Sequence, residues 1–272
     1  MNTTLVRCFT TFDQSSGNPA LIVQNDKFSN AERQLFAKNS GMPVVVFVSR
    51  AQNNKASIAF FYTEVEATLC VHGTLAAASV LLEQTGLDTL TFVIKTGRTL
   101  QVRKHLDSFQ VLLAAQPAEK FMLDQPEIAA LLELPDATFF VHDRPFMVAS
   151  VGSPKLLVPV DSMETLAALK PNFERMIQWE KTHQVNGFYI YTPEPSGQGE
   201  HFYARSFNPV TGTNEDIATG VAAGALGLAL KRNITIGQGK LLGHPSELHV
   251  SYESNDRIWV GGRAAIIKSP IA

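Results

Sequence analysis

Cysteine is nearly absent from this chain: 272 residues contain two, Cys8 and Cys70. Two cysteines cannot form a disulfide framework, so the expected compartment is a reducing one, the cytoplasm. Charge of either sign is also scarce. Charged residues make up 18%, and 23 Lys and Arg against 25 Asp and Glu leave a net charge of −2. No basic block or basic aromatic face appears, which argues against nucleic acid as a partner. No apolar run approaches the roughly 20 residues that span a bilayer, so no membrane is expected. The first residues, Met-Asn-Thr-Thr-Leu-Val-Arg, lack the regions of a signal peptide. There is no phosphate loop and no dinucleotide fingerprint. His105, His142, His183, His201, His244 and His249 show no metal-ligand spacing, so neither a metal nor a cofactor is expected.

What the chain has in quantity is hydrophobic residues, 45% of the total, enough for a substantial core. Two stretches stand out. Glu66 to Leu82 runs through Cys70-Val71-His72-Gly73-Thr74 into Ala76-Ala77-Ala78, a helix with few large side chains in its first turns. Asn214 to Leu228 does the same, with Asp216-Ile217-Ala218-Thr219-Gly220 leading into Val221-Ala222-Ala223-Gly224. Both have a polar junction, then glycine, then a small-residue helix, which reads as an internal duplication. A helix that is apolar nearly all round must be buried on every side. The first backbone N–H groups of such a helix lack internal partners and, with the dipole, favour an anion. The amides at Gly73–Thr74 and Thr219–Gly220 are therefore candidates for holding a carboxylate. His72 is the one nearby side chain that exchanges protons near neutral pH.

Between these stretches strands dominate. Strands are expected at Thr4–Thr10, Ala20–Val23, Pro43–Val48, Ser57–Glu66, Thr91–Thr96, Arg98–Arg103 and Ser108–Ala114. Ser29-Asn30-Ala31-Glu32 is a capping box that starts a helix running to Lys38. Gly86 is suited to a left-handed cap on the helix after His72. A boundary is expected near Pro117, giving lobes 1–117 and 118–272 with the last strand able to cross back. In the second lobe, helices are expected from Pro126 to Leu134, Met163 to Leu169 and Phe173 to Lys181. Strands are expected at Thr138–His142, Phe146–Ser150, Lys155–Val160, Gly187–Tyr191, His201–Phe207, Lys240–Leu242, Glu247–Tyr252 and Arg257–Ile267. The fold class is α/β, of the α+β kind: two pseudo-symmetric lobes, each a mixed, curved sheet around a central helix.

Four motifs then appear in order: Gly17-Asn18-Pro19-Ala20, Cys70-Val71-His72-Gly73-Thr74, Arg205-Ser206-Phe207-Asn208-Pro209 and Glu215-Asp216-Ile217-Ala218-Thr219-Gly220. Together they resemble the PhzF family of phenazine-biosynthesis-like proteins, within the broader diaminopimelate-epimerase fold. The resemblance spans most of the chain. It implies an active site in a cleft between two similar lobes, a homodimer, no cofactor, and isomerisation or epimerisation by proton transfer near a substrate carboxylate. It also exposes departures. Aligned on Phe47, the family's proton-transferring Glu falls at Val44, and its Ser after Thr-Gly falls at Val221. Cys70 stands where diaminopimelate epimerases carry a catalytic thiolate, and Ile217 stands near their second cysteine, which excludes a two-thiol mechanism.

The candidate catalytic residues are His72 and Asp216. Asn18, Gly73, Thr74, Thr219 and Gly220 are the candidate substrate-binding residues, and Cys70 is the alternative acid or base. Each has a plainer role: His72 and Asp216 as helix caps, Cys70 as a small buried residue, Asn18 as the turn former of Asn-Pro. Arg205 is expected to pair with a carboxylate in the cleft or with Asp216. Two functions remain in play: an isomerase of a small carboxylic acid, and a binding protein on the same scaffold whose chemistry has gone with the missing Glu. The retained pair of polar residues at the helix starts favours the enzyme.

Overall fold

The computed structural model describes residues 1–11, 16–119, 121–135, 141, 143–195 and 200–267. The chain divides into two units, one formed by Met1–Leu112 with Trp259–Ala272 and the other by Leu113–Ile258.

The first unit opens with β1 (Asn2–Cys8), β2 (Asn18–Gln24), α1 (Asn30–Ser40), β3 (Val45–Val48), β4 (Lys55–Phe61) and β5 (Glu66–Ala67). It continues with α2 (Val71–Thr85), β6 (Thr89–Val93), β7 (Thr99–His105) and β8 (Ser108–Ala114). The capping box forms as expected: the Ser29 hydroxyl accepts from the Glu32 amide, and the Glu32 side chain reaches back to the Ser29 backbone. The sheet is mixed. β1 and β2 are antiparallel, β2 and β3 parallel, β3 and β4 antiparallel, β4 and β6 parallel, and β6 to β8 antiparallel in turn.

Side chains along a strand alternate between faces, and β3 shows what this sheet encloses. Val45 and Phe47 join Phe61 and Ala37 of α1 in one cluster. Val46 faces the other way, against Gly73 of α2, and by the same period Val44 shares that side. Every residue of α2 from Val71 to Leu82 is buried. Gly86 ends the helix in the left-handed conformation, its N–H bonded to the Leu82 carbonyl.

The second unit contains α3 (Gln125–Leu131), β9 (Met147–Ser150), β10 (Pro154–Pro159), α4 (Met163–Ala168), α5 (Phe173–His183), β11 (Phe188–Pro193) and β12 (His201–Asn208). It goes on through β13 (Thr213–Asp216), α6 (Gly220–Leu230), β14 (Ile234–Gln238) and β15 (Ser246–Glu253). β9 to β12 pair in sequence, with β10 and β11 parallel. β14 then lies parallel to β12 and antiparallel to β15. β13 is a short side strand on β12, with a register shift between Ser206 and Asn208. One side of this sheet is covered by α3 and α5 through Met176, Trp179 and Ile128 against Phe188 and Phe207. The other carries α6, buried from Ala222 to Gly227 and touching β9, β10 and β15. The chain ends with β16 (Arg257–Gly262) and β17 (Ala264–Ile267), and β17 pairs antiparallel with β1.

Some expectations need correction. Lys240–Leu242 is a 3-10 turn between Gly239 and Gly243, both left-handed, rather than a strand. β14 replaces it as the ladder strand, from a run the sequence reading left unassigned. The single strand expected from Ser57 to Glu66 breaks at Phe61, and β5 turns back to pair with Phe60 and Phe61. The strand expected at Thr138–His142 lies, except for Val141, outside the described residues. Among the described residues no helix is long and apolar enough to cross a membrane.

A buried helix must let the sheet come close. A Cβ on Gly227 would stand 2.5 Å from Val250 Cγ1 and 3.1 Å from its Cβ. Gly227→Ala gains about 1 kcal/mol in helix propensity, but overpacking against a β-branched neighbour costs about 1–3 kcal/mol. We expect a net loss of stability, read as a lower urea midpoint with an unchanged slope.

Candidate functional site

The first junction is held by sulfur. Cys70 is the extended residue before α2, and its Sγ accepts from the Gly73 amide at 3.4 Å. The same Sγ lies 3.4 Å from His72 Nδ1. The Cys70 carbonyl takes both the Thr74 amide at 2.9 Å and the Thr74 hydroxyl at 2.7 Å. Cys8, on β1, donates its thiol to the His72 carbonyl at 3.2 Å. Asn18, the first residue of β2, is buried and pairs in register with Cys8. Asn18, Cys8, Cys70 and His72 thus form one neighbourhood in the first unit. His72 itself is 8% exposed.

This geometry changes two expectations. The Gly73 and Thr74 amides are already engaged, by the Cys70 sulfur and carbonyl, so the first turn does not offer them to an anion. Gly73 is required by packing from within: a Cβ there would come to 2.9 Å from Val46 Cγ2 and 3.2 Å from both Phe60 and Cys70 Sγ.

The two thiols are driven in opposite directions. Burial pushes Cys8 well above its usual value, and the charge of Cys70 adds to that. Burial also raises Cys70, but it is outweighed by the charge of a protonated His72, the His72 and Tyr62 hydrogen bonds and the Gly73 amide, so the thiol ends below its ordinary value. A lowered thiol beside an imidazole at a helix start is the arrangement that favours thiolate. Cys8 and Tyr62 are not among the candidate site residues. Neither belongs to the motif, and only strand pairing brings them to it.

The second junction uses oxygen instead. Thr219 precedes α6 without capping it, and its hydroxyl donates to Asp216 Oδ2 at 2.7 Å. Gln238 of β14 takes the Thr219 amide on Oε1 at 3.2 Å and donates to the Asp216 carbonyl at 2.8 Å. Tyr189 donates to the same Oε1 at 3.3 Å. Gly220 follows as the first residue of α6, where N–H groups have no partner within the helix. The Asp216 carboxylate is fixed by Thr219 at the end of β13, half-buried. Arg205 does not pair with Asp216. It forms a bidentate bridge to Glu215 at 2.9 Å and also donates to the Leu166 and Leu169 carbonyls, closing the end of α4.

Beneath this junction lies a group absent from the candidates. Lys155 of β10 is buried, and its ammonium donates to the Asn186 carbonyl and to Asn208 Oδ1. Burial lowers its pKa to about 8 against the pull of Asp216 and Glu180. Glu180 of α5 is 1% exposed, with Oε2 accepting from the Val210 amide at 3.0 Å and Oε1 lacking a hydrogen-bond partner. Burial raises its pKa to about 7, although the Val210 amide and Lys155 oppose the shift. Among the described residues there is no cluster of three or more metal-type side chains.

With both junctions described, the wider comparison can be made. Residues 6–269 match the family described as phenazine biosynthesis-like protein. The chain belongs to that family. An uncharacterized isomerase of Clostridium acetobutylicum is 25% identical over 94% of this chain and 93% of its own length. The crystal structure of a PhzF-family phenazine biosynthesis protein from Bacillus anthracis superposes with a TM-score of 0.83 at 22% identity, covering 98% of each chain. A hydroxyproline epimerase of Agrobacterium vitis, solved with bound trans-4-hydroxy-L-proline, shares the fold at a TM-score of 0.59 and 10% identity, over 99% of this chain and 94% of that one. The PhzF-type fold thus extends to proteins at identities too low to speak of activity.

Glu180 gives a test of the buried pair. Its folded carboxyl holds a proton more tightly than the unfolded one, so the stability it contributes is fully present below the unfolded value of 4.5 and is lost as pH rises through about 7. Lys155 runs the other way, disfavouring the fold as pH falls through about 8. Glu180→Gln should remove the Glu180 part. Its stability relative to wild type should improve by on the order of 3 kcal/mol between acid and slightly alkaline pH, measured by urea denaturation across that range.

Proposed function

We propose that this PhzF-family protein is an isomerase or epimerase of a small carboxylic acid. It would work by proton transfer without a cofactor, in the cytoplasm and as a homodimer, with His72 and Asp216 as its proposed catalytic residues. The observation that carries the reading is the contact of 3.4 Å between Cys70 Sγ and His72 Nδ1. With the family Glu replaced by Val44, fully buried, a proton acceptor must come from elsewhere. The Cys70 thiolate is the group whose surroundings favour its charged form. It takes the proton from the carbon beside the carboxylate, and the C–H electron pair moves into the adjoining unsaturated system. Protonated His72 then returns one proton to carbon and recovers it from the Cys70 thiol across their contact, so both groups end the turnover as they began. Asn18, Thr219 and Gly220 are assigned to holding the substrate. The relatives' description as isomerases supports this class of chemistry.

One observation favours a binding protein instead: the family's proton-transferring Glu falls at Val44 and its Ser at Val221, both hydrocarbon here. The two readings separate in deuterium oxide. Wild type incubated with a panel of amino acids and cyclic unsaturated carboxylic acids should incorporate deuterium at carbon, detected by mass spectrometry. Cys70→Ala and His72→Ala should each lower that rate by about 10²–10⁴-fold, the usual contribution of an acid–base group. Exchange that survives both substitutions removes the pair from catalysis. If wild type is silent and Val44→Glu with Val221→Ser restores exchange, the natural protein is a binder. A carboxylate buried at position 44 also costs stability unless it is paired, so the double variant should unfold at lower urea.

A further inference from the structure

The second unit contains a buried cation that the proposed reaction does not use, and its hydrogen bonds lead to Ser206, the register partner of Asp216. Lys155 donates to Asn208 Oδ1, and Asn208 Nδ2 donates to Ser206 Oγ at 3.3 Å. Ser206 stands in register with Asp216 across the β12–β13 ladder, on the near side of the shift that separates it from Asn208. Asp216 in turn takes the Thr219 hydroxyl at the start of α6. Side-chain bonds thus run from β10 to Ser206 and from Asp216 to Thr219 before α6, and the β12–β13 register joins the two, wholly within one unit.

We infer that Lys155 is a positioning residue for Asp216, its buried ammonium fixing the Asn208–Ser206 corner that sets where the carboxylate and the first turn of α6 lie. This rests on reading Asp216 as a site residue, but the placement itself can be tested without a substrate. An ammonium removed from water is tolerated only where carbonyls and carboxylates replace its hydration. Lysines usually keep the charged head in water, so a fully buried one makes an unusual structural filler. The groups facing it are Asp216 from β13 and Glu180 from α5. Tyr189 of the adjacent β11 is kept neutral by burial and then by Asp216. The cation is thus shared between a carboxylate at the site and one sealed in the core. Loss of its proton near pH 8 would release the corner and carry the α6 start with it.

The test uses nuclear magnetic resonance of the full chain, following the Thr219 and Gly220 amides against pH. Wild type should show an inflection near pH 8, absent from Lys155→Met. Glu180→Gln, which removes one of the two carboxylates, should move that inflection to lower pH. In the deuterium assay Lys155→Met should lose on the order of tenfold in kcat with KM unchanged and a flattened alkaline limb. The proposal is overturned if Lys155→Met folds with both amides unmoved at every pH, even if its activity falls. It is also overturned if the inflection ignores Glu180→Gln, the arm that decides should Lys155→Met not fold. A wild type that exchanges no deuterium removes the proposed reaction but leaves the resonance result to decide the positioning.

Discussion

Everything in this molecule depends on burying two hydrocarbon helices whose ends are polar. α2 and α6 carry glycine where the sheets that hold them come within contact of the backbone, Val46 and Phe60 at Gly73 and Val250 at Gly227. Such a helix cannot use solvent to satisfy the first turn of N–H groups. Each unit therefore brings polar atoms to one point in an apolar interior. At α2 they are the sulfur and carbonyl of Cys70; at α6 they are Gln238, Thr219 and Asp216. A buried polar group without a partner costs about 1–3 kcal/mol, so these clusters are demanded by the fold before any chemistry is asked of them.

The two solutions differ in kind. At α2 a soft, ionisable atom does the work beside an imidazole, and the low-dielectric surroundings strengthen whatever charge pairing it makes. At α6 an amide and a hydroxyl gather about the Asp216 carboxylate, and further ionisable groups lie deeper, on Lys155 and Glu180. A repeated backbone plan has thus been given unequal electrostatics.

Much of this was legible in the sequence because it is local. The capping box at Ser29, the left-handed Gly86 and the two small-residue helices each announce themselves within a few residues. So does the ordering of four motifs that carries the family resemblance. What escaped depends on pairing between distant segments. β14 reads weakly because Gly237 breaks its pattern, yet its Gln238 organises the second junction. Cys8 and Tyr62 reach His72 and Cys70 only through the ladder. Lys155 opens a strand-like run, where a lysine reads as a solvated end, and nothing nearby in sequence signals that Asn186, Asn208 and Glu180 will enclose it. Assigning anion-binding amides to Gly73 and Thr74 failed for a related reason: the capping sulfur was counted as a candidate base and not as an acceptor.

That double use of one atom has a consequence for how such sequences drift. The Cys70 sulfur completes the start of α2 whether or not any substrate is ever turned over. Selection for folding alone would preserve it, along with the glycine it bonds and the threonine behind it, in a descendant that had abandoned catalysis. Persistence of this motif is therefore a record of architecture before it is a record of chemistry.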